Sequence, residues 1–285
     1  MVVLQALAGA AAAELAPEVV LKDWSKDGIA FFNNIRTPAA LLAASALKDA
    51  FVLQGKELPP STLARTKRLW VFVREAYLML MVVSFGLNLW TVFLSTAGAF
   101  HLQAGAFDPL ASSMVALLGR EFEYEWVAVR CQFILGMLML VAAQAIRVRY
   151  ALWSVPNLAN AAATFLLFTG AEMLAFFNNK LAGGIAPACK ASGLPETKNM
   201  GDLVRRWLKL QFSLLGGSDG NLLTQKLGKP VRAVAVVLLG MALYFSLAEI
   251  GRTFVAHLDE DGDGDVSWAE VEAFGRRLLG RPVEP

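Results

Sequence analysis

The stretch from Ala76 to Phe100 contains no charged residue, and it constrains the fold of this chain more than any other feature. An α-helix needs about 20 consecutive, predominantly apolar residues to cross the hydrocarbon core of a bilayer. Because this run is longer than that and lacks Asp, Glu, Lys and Arg, it predicts a membrane-spanning helix.

The composition agrees with an integral membrane protein. Of the 285 residues, 56% are hydrophobic and only 18% are charged, whereas soluble domains average about 25% charged residues. Further apolar stretches predict spans at about 126–146, 153–177 and 231–257, and Pro156 marks either a kink or the true start of the third. We therefore expect an all-α protein with about four membrane-spanning helices, in a transmembrane domain that covers residues 69–258.

The N-terminal region, residues 1–68, has no stretch that is long and apolar enough to span a bilayer. Residues 18–34 are mixed in character and predict an interfacial or irregular segment. Thr37 and Pro38 then match an N-cap followed by proline at the first helical position. This pattern predicts an amphipathic or half-buried helix that begins at Pro38 and runs to Gln54.

A long connection is predicted at residues 178–230, where Gly, Lys, Pro and Ser become frequent, and Cys189 lies within it. Residues 202–215 of this connection have a helical period. One face would carry Leu203, Val204, Trp207, Leu208, Leu214 and Leu215, and the other would carry Arg205, Arg206 and Lys209. Such a helix either lies along a membrane surface or packs against the protein itself, and the pattern favours neither.

The acidic stretch from Asp259 to Glu270 has the ligand spacing that a hard, oxygen-seeking cation requires. Carboxylates stand at the first, third and fifth positions, and Gly264 at the sixth permits a sharp turn. The glutamate at the twelfth position can bind through both of its oxygens. The candidate metal ligands are Asp259, Asp261, Asp263, the Asp265 carbonyl, Ser267 and Glu270, and the ion that they predict is Ca2+.

This stretch resembles an EF-hand over residues 248–280, with apolar residues on both flanks of the loop. The resemblance implies an entering helix that continues from the fourth span and an exiting helix from Val271 to Leu279. EF-hands commonly work in pairs, and the sequence contains no second such loop. The resemblance therefore implies that Val266, at loop position 8, contacts a partner in a homodimer or in another protein, or that the affinity is weak.

Six ionisable residues occur at membrane depth. They are Arg74 and Glu75 in the first span, Arg130 in the second, Glu172 in the third, and Glu249 and Arg252 in the fourth. Charges in hydrocarbon are costly and mark either an ion path or a paired group. All six lie within about two turns of a predicted helix end, so we favour the interpretation that they reach the headgroups by snorkelling.

Aromatic and uncharged polar residues complete the description of the spans. Trp126, Tyr150 and Trp153 lie at predicted helix ends, where interfacial aromatic belts occur. The polar residues Asn88, Gln132, Gln144, Asn157 and Asn160 are interpreted as contacts between helices rather than as a transport site.

The charge distribution predicts an orientation. If all four spans cross, the basic residues between Arg65 and Arg74 lie on the same side as Arg147 and Arg149, and the positive-inside rule makes that side cytosolic, or its stromal or matrix equivalent. Four crossings place the calcium loop there too, although the net basic connection at 178–230 argues against this. The net charge of +2 gives no indication of nucleic-acid binding.

The sequence thus predicts a calcium-binding, multi-pass membrane protein whose EF-hand is fused to its last span. Two functional classes remain open. The chain is either a calcium-responsive structural or regulatory subunit of a membrane assembly, or a calcium-gated ion channel or transporter. Its expected partners are the lipid bilayer and either further copies of itself or other membrane subunits. No catalytic motif is found, so an enzyme is not expected.

Overall fold

The computed structural model describes residues 21–54 and 64–216, and beyond them only the isolated positions 237, 240, 241, 244 and 271. In chain order the helices are α1 Ser25–Asp49, α2 Ala64–Ala104, α3 Met114–Glu121, α4 Glu123–Ala151, α5 Pro156–Lys180, α6 Ala186–Ala191 and α7 Met200–Gly216. A π-helical turn, Leu181–Ile185, joins α5 to α6. Two short strands, β1 Lys22–Asp23 and β2 Leu110–Ala111, pair antiparallel with Lys22 opposite Ala111.

Within the described residues, three helical stretches are long and apolar enough to cross a membrane. They are Trp70–Ala104, Glu123–Ala151 and Pro156–Ala191. The described residues are mostly helical, which confirms the helical class that the sequence predicts. The fourth predicted span, at 231–257, lies outside the described residues apart from isolated positions.

The α4 helix is the centre of the described fold. In its most apolar part 61% of the residues are buried, against 11% for the stretch that contains α5. It packs against α2 and α5 along its length and against α7 near its N-terminus. The larger of two apolar clusters surrounds its first half, with Trp126, Leu117 and Leu203 buried.

Close packing between α2 and α4 depends on a small residue and a hydroxyl. Ser84 Oγ donates a hydrogen bond of 2.7 Å to the Gly136 carbonyl across the two helices. A Cβ at Gly136 would lie only 2.5 Å from Asn88 Nδ2, so the crossing requires glycine here. Asn88 itself bonds within α2, to the Ser84 carbonyl at 2.8 Å.

Helix α1 begins earlier than the sequence predicts. It starts at Ser25, whose backbone N–H donates to Asp23 Oδ1 at 2.8 Å, and Pro38 lies inside it rather than at its start. Of the two alternatives for residues 18–34, the irregular segment is therefore wrong from Ser25 onward, and the interfacial one stays a prediction. Its buried residues Gly28, Phe32, Ala39, Ala43 and Ala46 share one face of a continuous helix. Packing of this face against α2 outweighs the helix-breaking tendency of proline.

The region after the third predicted span also differs from its prediction. Pro156 is the start of α5 and not a kink. The chain remains helical beyond residue 178, through the π-helical turn and α6, and does not enter a loop there. Cys189, which the sequence places in a loop, is buried in α6, and it and Cys131 are both free thiols.

Candidate functional site

The predicted calcium ligands, Asp259 to Glu270, lie outside the described residues, as do Glu249 and Arg252. Within the part of the chain that the structure describes, no group of three or more His, Cys, Asp and Glu side chains is close enough to hold a metal ion. The calcium site therefore remains a prediction from the sequence.

The most unusual chemistry in the described part lies near the N-terminus of α4, where two arginines share one tryptophan. The guanidinium carbon of Arg130 is 3.7 Å from the centre of the Trp126 ring, and that of Arg206 is 5.6 Å from it. Trp126 is 1% exposed, Arg130 5% and Arg206 9%. We call these three residues, with Glu123, the arginine–tryptophan centre.

The local sequence explains how α4 and α7 present these residues. Glu123 and Glu125 occupy the first turn of α4, where carboxylates stabilise the positive end of the helix dipole. At the start of α7, the backbone N–H of Asp202 donates to Asn199 Oδ1 at 2.9 Å, and that of Met200 donates to Asn178 Oδ1 at 2.8 Å. These contacts fix the beginning of α7 beside the end of α5.

Arg206 has a complete set of partners. Its Nε and Nη2 donate to Glu123 Oε1 at 3.0 and 2.5 Å. Its Nη1 donates to the Pro195 carbonyl at 3.1 Å and to Thr197 Oγ1 at 3.4 Å. The ion pair thus ties α7 and the segment before it to the first turn of α4.

Arg130 has no comparable partners. Its Nε donates to the Trp126 carbonyl at 3.0 Å, but Nη1 and Nη2 are buried and make no hydrogen bond in the structure. Among the described residues, no carboxylate forms a salt bridge with Arg130. An uncompensated buried charge costs several kcal/mol, whereas a desolvated cation–π contact returns about 2 kcal/mol. The centre therefore holds one more positive charge than its carboxylate balances.

A cleft of about 460 Å³ opens beside the centre, between α7 and the segment at 194–197. This volume lies in the range of small-molecule sites. Acidic and basic side chains line it together: Glu123, Glu196, Asp202, Arg205, Arg206 and Lys209.

At the rim of the cleft, Glu196 and Lys198 form an exposed ion pair of 3.0 Å. The hydrogen bond that the Lys198 ammonium donates to the Glu196 carboxylate lowers the pKa of the Glu196 carboxyl and raises the pKa of the Lys198 ammonium. Because both groups are in water, the pair contributes little to stability.

Three expectations from the sequence are wrong for residues at the ends of α4 and in α7. Arg130 does not reach the surface by snorkelling, because its guanidinium is covered by protein. Trp126 and Tyr150 are buried rather than placed in an aromatic belt, and only Trp153 is largely exposed. Arg206 lies on the buried face of α7, which packs against α4. Its spacing of three residues from Leu203 and four from Leu210 could have shown this.

The other ionisable and polar residues of the spans differ in their exposure. Arg74 and Glu75 are partly exposed on α2, and Glu172 is exposed on α5. Since the helix continues to Ala191, Glu172 is far from its end and not within two turns of it. Asn157 and Asn160 are exposed on α5, whereas Gln132 is buried and its Oε1 has no hydrogen-bond partner.

A second polar cluster lies at the opposite end of α4, and the sequence analysis did not find it. Arg147 Nη1 donates to Asp49 Oδ2 at 2.6 Å, and Gln144 Nε2 donates to the same oxygen at 3.4 Å. Tyr77 Oη donates to the Asp49 carbonyl at 2.6 Å. This cluster, which we call the aspartate end, joins the C-terminus of α1 to α2 and α4.

Comparison of the chain with protein-family models, with curated proteins and with solved structures finds no match.

Proposed function

We propose that this protein is a calcium-responsive, multi-pass membrane protein that serves as a structural or regulatory subunit of a membrane assembly. The observation that carries the proposal is a complete set of calcium ligands in the sequence of a chain whose described part has three helices long and apolar enough to cross a membrane. The membrane helices would hold the protein in the bilayer, and the loop would provide its response.

The donor set of the loop suits Ca2+. Asp259, Asp261, Asp263, the Asp265 carbonyl, Ser267 and Glu270 supply only oxygen, and calcium takes six to eight oxygen ligands. In sensor EF-hands, ion binding moves the exiting helix and exposes an apolar groove. By this route the helix from Val271 to Leu279 would offer a calcium-dependent surface to a partner, on the cytosolic side or its stromal or matrix equivalent.

The outer surface of α5 supports a location in a bilayer or assembly. Large apolar side chains lie exposed along it: Leu158, Phe165, Leu167, Phe168, Met173 and Phe176. A soluble monomer rarely exposes so large an apolar surface, because it would favour aggregation. Lipid tails or an apolar neighbouring subunit would cover this face.

The position of Glu172 favours the subunit over the alternative, a calcium-gated channel or transporter. A conducting path would gather intramembrane carboxylates around a cavity. Glu172 instead lies exposed on the helix that is least buried in the described fold. The alternative would still rest on the direct connection between the last predicted span and the calcium loop.

Calorimetric titration of Ca2+ into the purified, detergent-solubilised protein tests the proposal. We expect binding near micromolar that Glu270→Gln abolishes, because this change removes the bidentate ligand. The matched control is Glu260→Gln, which removes the same charge from the non-ligand second position and should leave binding intact. Titration in excess Mg2+ tests selectivity, and absence of binding below about millimolar Ca2+ would refute a signalling role.

Reconstitution into liposomes separates the two classes. A subunit produces no calcium-dependent ion flux. Ca2+ instead changes its oligomeric state or its binding to a partner. A calcium-dependent flux that Glu270→Gln abolishes would instead establish the channel or transporter.

A further inference from the structure

Helix α1 lies at the same depth as the apolar part of α2. The two helices run antiparallel: the Phe32 ring lies against Gly98, where a Cβ would be 2.7 Å from it, and Tyr77 Oη donates to the Asp49 carbonyl at 2.6 Å. The contacts between the helices thus extend over almost the whole uncharged stretch from Ala76 to Phe100. Because that stretch predicts a membrane-spanning helix, the geometry brings α1 to membrane depth as well.

The sequence of α1 has the length and the terminal charges of a membrane-crossing helix. The 20 residues from Gly28 to Leu47 contain one charged residue, Arg36, which is half-buried. At a rise of 1.5 Å per residue they measure about 30 Å, which is the thickness of the hydrocarbon core. Charged residues flank this stretch on both sides: Lys26, Asp27, Lys48 and Asp49.

The face of α1 that turns away from α2 is small and partly polar. Its exposed residues follow one another at spacings of four and three, as in the seam where two helices pack: Ala30, Asn34, Thr37, Leu41, Ala44 and Lys48. We call this face the α1 seam. Asn34 lies about 9 Å from the start of the 20-residue stretch. Lipid tails offer its amide no hydrogen-bond partner, whereas a second helix could approach closely along the small residues and supply one.

The chemistry of the α1 seam favours a second copy of this chain as that partner. Two copies inserted in the same orientation would meet about a two-fold axis, so each seam residue would face its own counterpart. An amide both donates and accepts, so Asn34 can pair with its counterpart. The seam carries no charge before Lys48 at its end, and like charges would therefore not be opposed in hydrocarbon. The lone calcium loop points the same way, because EF-hands commonly work in pairs.

We propose that α1 crosses the bilayer beside α2 and that the α1 seam is the contact between two copies of this chain. The inference names one partner within the proposed assembly, and it rests on the proposed function only in placing these helices in a membrane. It does not depend on calcium, so both of its tests are carried out in EGTA.

The crossing is tested with single cysteines at the two ends of α1 in the full-length protein. Lys26→Cys and Lys48→Cys place a thiol at exposed positions, whereas the native Cys131 and Cys189 are buried. An impermeant maleimide is added to sealed membrane vesicles of one orientation. We expect it to label one variant at once and the other only after the vesicles are opened. Labelling of both variants from the same side would overturn the crossing.

The contact between copies is tested by disulfide cross-linking in liposomes at a high ratio of lipid to protein. We expect Ala44→Cys, oxidised with iodine, to form a covalent dimer. The matched control is Phe165→Cys, which lies exposed on the outer face of α5 and should remain monomeric. Asn34→Leu, added to Ala44→Cys, should weaken dimerisation about three- to tenfold, because the hydrogen bond between the amides is lost.

The outcomes distinguish what covers the α1 seam. A dimer of Ala44→Cys that Asn34→Leu weakens supports the contact between copies. Absence of a dimer would overturn it and leave the seam to another segment or subunit, and a dimer of Phe165→Cys alone would move the contact to α5. An unchanged dimer in Asn34→Leu would contradict the pairing of the amides. Since calcium is absent throughout, failure of calcium binding would leave all of these results unchanged.

Discussion

The two ends of α4 contain the same side-chain types, but they differ in how far their arginines are buried. At the N-terminal end Arg206 pairs with Glu123 and Arg130 lies over Trp126. At the C-terminal end Arg147 pairs with Asp49, and Arg149 lies 5.6 Å from the Trp70 ring centre. Arg149 also has one buried nitrogen without a partner, but its side chain is partly exposed and reaches water. Arg130 is covered almost completely.

This difference separates arginines whose charge is satisfied from one whose charge is not. An arginine that reaches water or a carboxylate needs nothing further to be stable. A buried arginine with two unpaired nitrogens carries a desolvation cost that its cation–π contact only partly offsets. Four predictions test this comparison, each with matched changes.

The largest difference in stability is expected between alanine variants of the two tryptophans, Trp126 and Trp70. Trp126→Ala should destabilise the protein by about 3–5 kcal/mol, because it empties a fully buried site and uncovers two guanidiniums. Trp70→Ala should cost clearly less, since Trp70 is only partly buried and packs edge-on against Tyr150. Unfolding by SDS titration in mixed micelles measures both. Equal losses would mean that the two ends are equally buried in solution.

Neutralising a carboxylate should also cost more stability at the N-terminal end of α4 than at its C-terminal end. Glu123→Gln should cost about 3–5 kcal/mol, since it leaves the buried Arg206 without its carboxylate partner. Asp49→Asn should cost about 1 kcal/mol, because the Arg147 side chain is 33% exposed and can hydrate. The same SDS titration serves, and a larger loss for Asp49→Asn would contradict the comparison.

The middle of α4 should be sensitive to added side-chain volume, because it packs closely against α2. Gly136→Ala should cost about 1–3 kcal/mol, because the added Cβ would meet Asn88 at 2.5 Å. Gly86 in α2 has nothing within 4 Å of such a Cβ. Gly86→Ala should therefore stabilise the protein by up to about 1 kcal/mol through helix propensity. Thermal unfolding followed by circular dichroism compares them, and a harmless Gly136→Ala would argue against the close crossing.

The smallest effect is expected where the charge is unpaired. In detergent, Arg130→Met should be nearly neutral or slightly stabilising, because it removes an uncompensated buried charge and keeps an apolar side chain. Arg147→Met removes a paired arginine and should destabilise by about 1 kcal/mol. A large loss of stability in Arg130→Met would mean that an acceptor from the protein already satisfies Arg130.

The extent to which the sequence predicted the fold follows from how local each feature is. Ala76 to Phe100 predicted a long helix because length and apolar content belong to the segment itself. Pro38 led to a wrong predicted start for α1, because the residues around it do not show that α1 packs against α2. Arg206 was assigned to the wrong face, although its spacing from Leu203 was available.

The ion pairs at the two ends of α4 could not be predicted, because the paired residues are distant in the chain. Glu123 and Arg206 are 83 positions apart, and Asp49 and Arg147 are 98 apart. A lone arginine near the end of an apolar run looks the same whether it snorkels or is buried. Only the packing of neighbouring helices distinguishes the two cases.

The sequence by itself determined the features that depend on contiguous residues. These are the lengths of the apolar helices, which a fixed rise per residue relates to bilayer thickness, and the order of the oxygen ligands from Asp259 to Glu270, on which the calcium prediction depends. Within the described residues, the tertiary structure alone decided that Arg147 and Arg206 have carboxylate partners and that the buried Arg130 has unpaired Nη groups. Burial and pairing arise when distant segments meet, and no single segment contains that information.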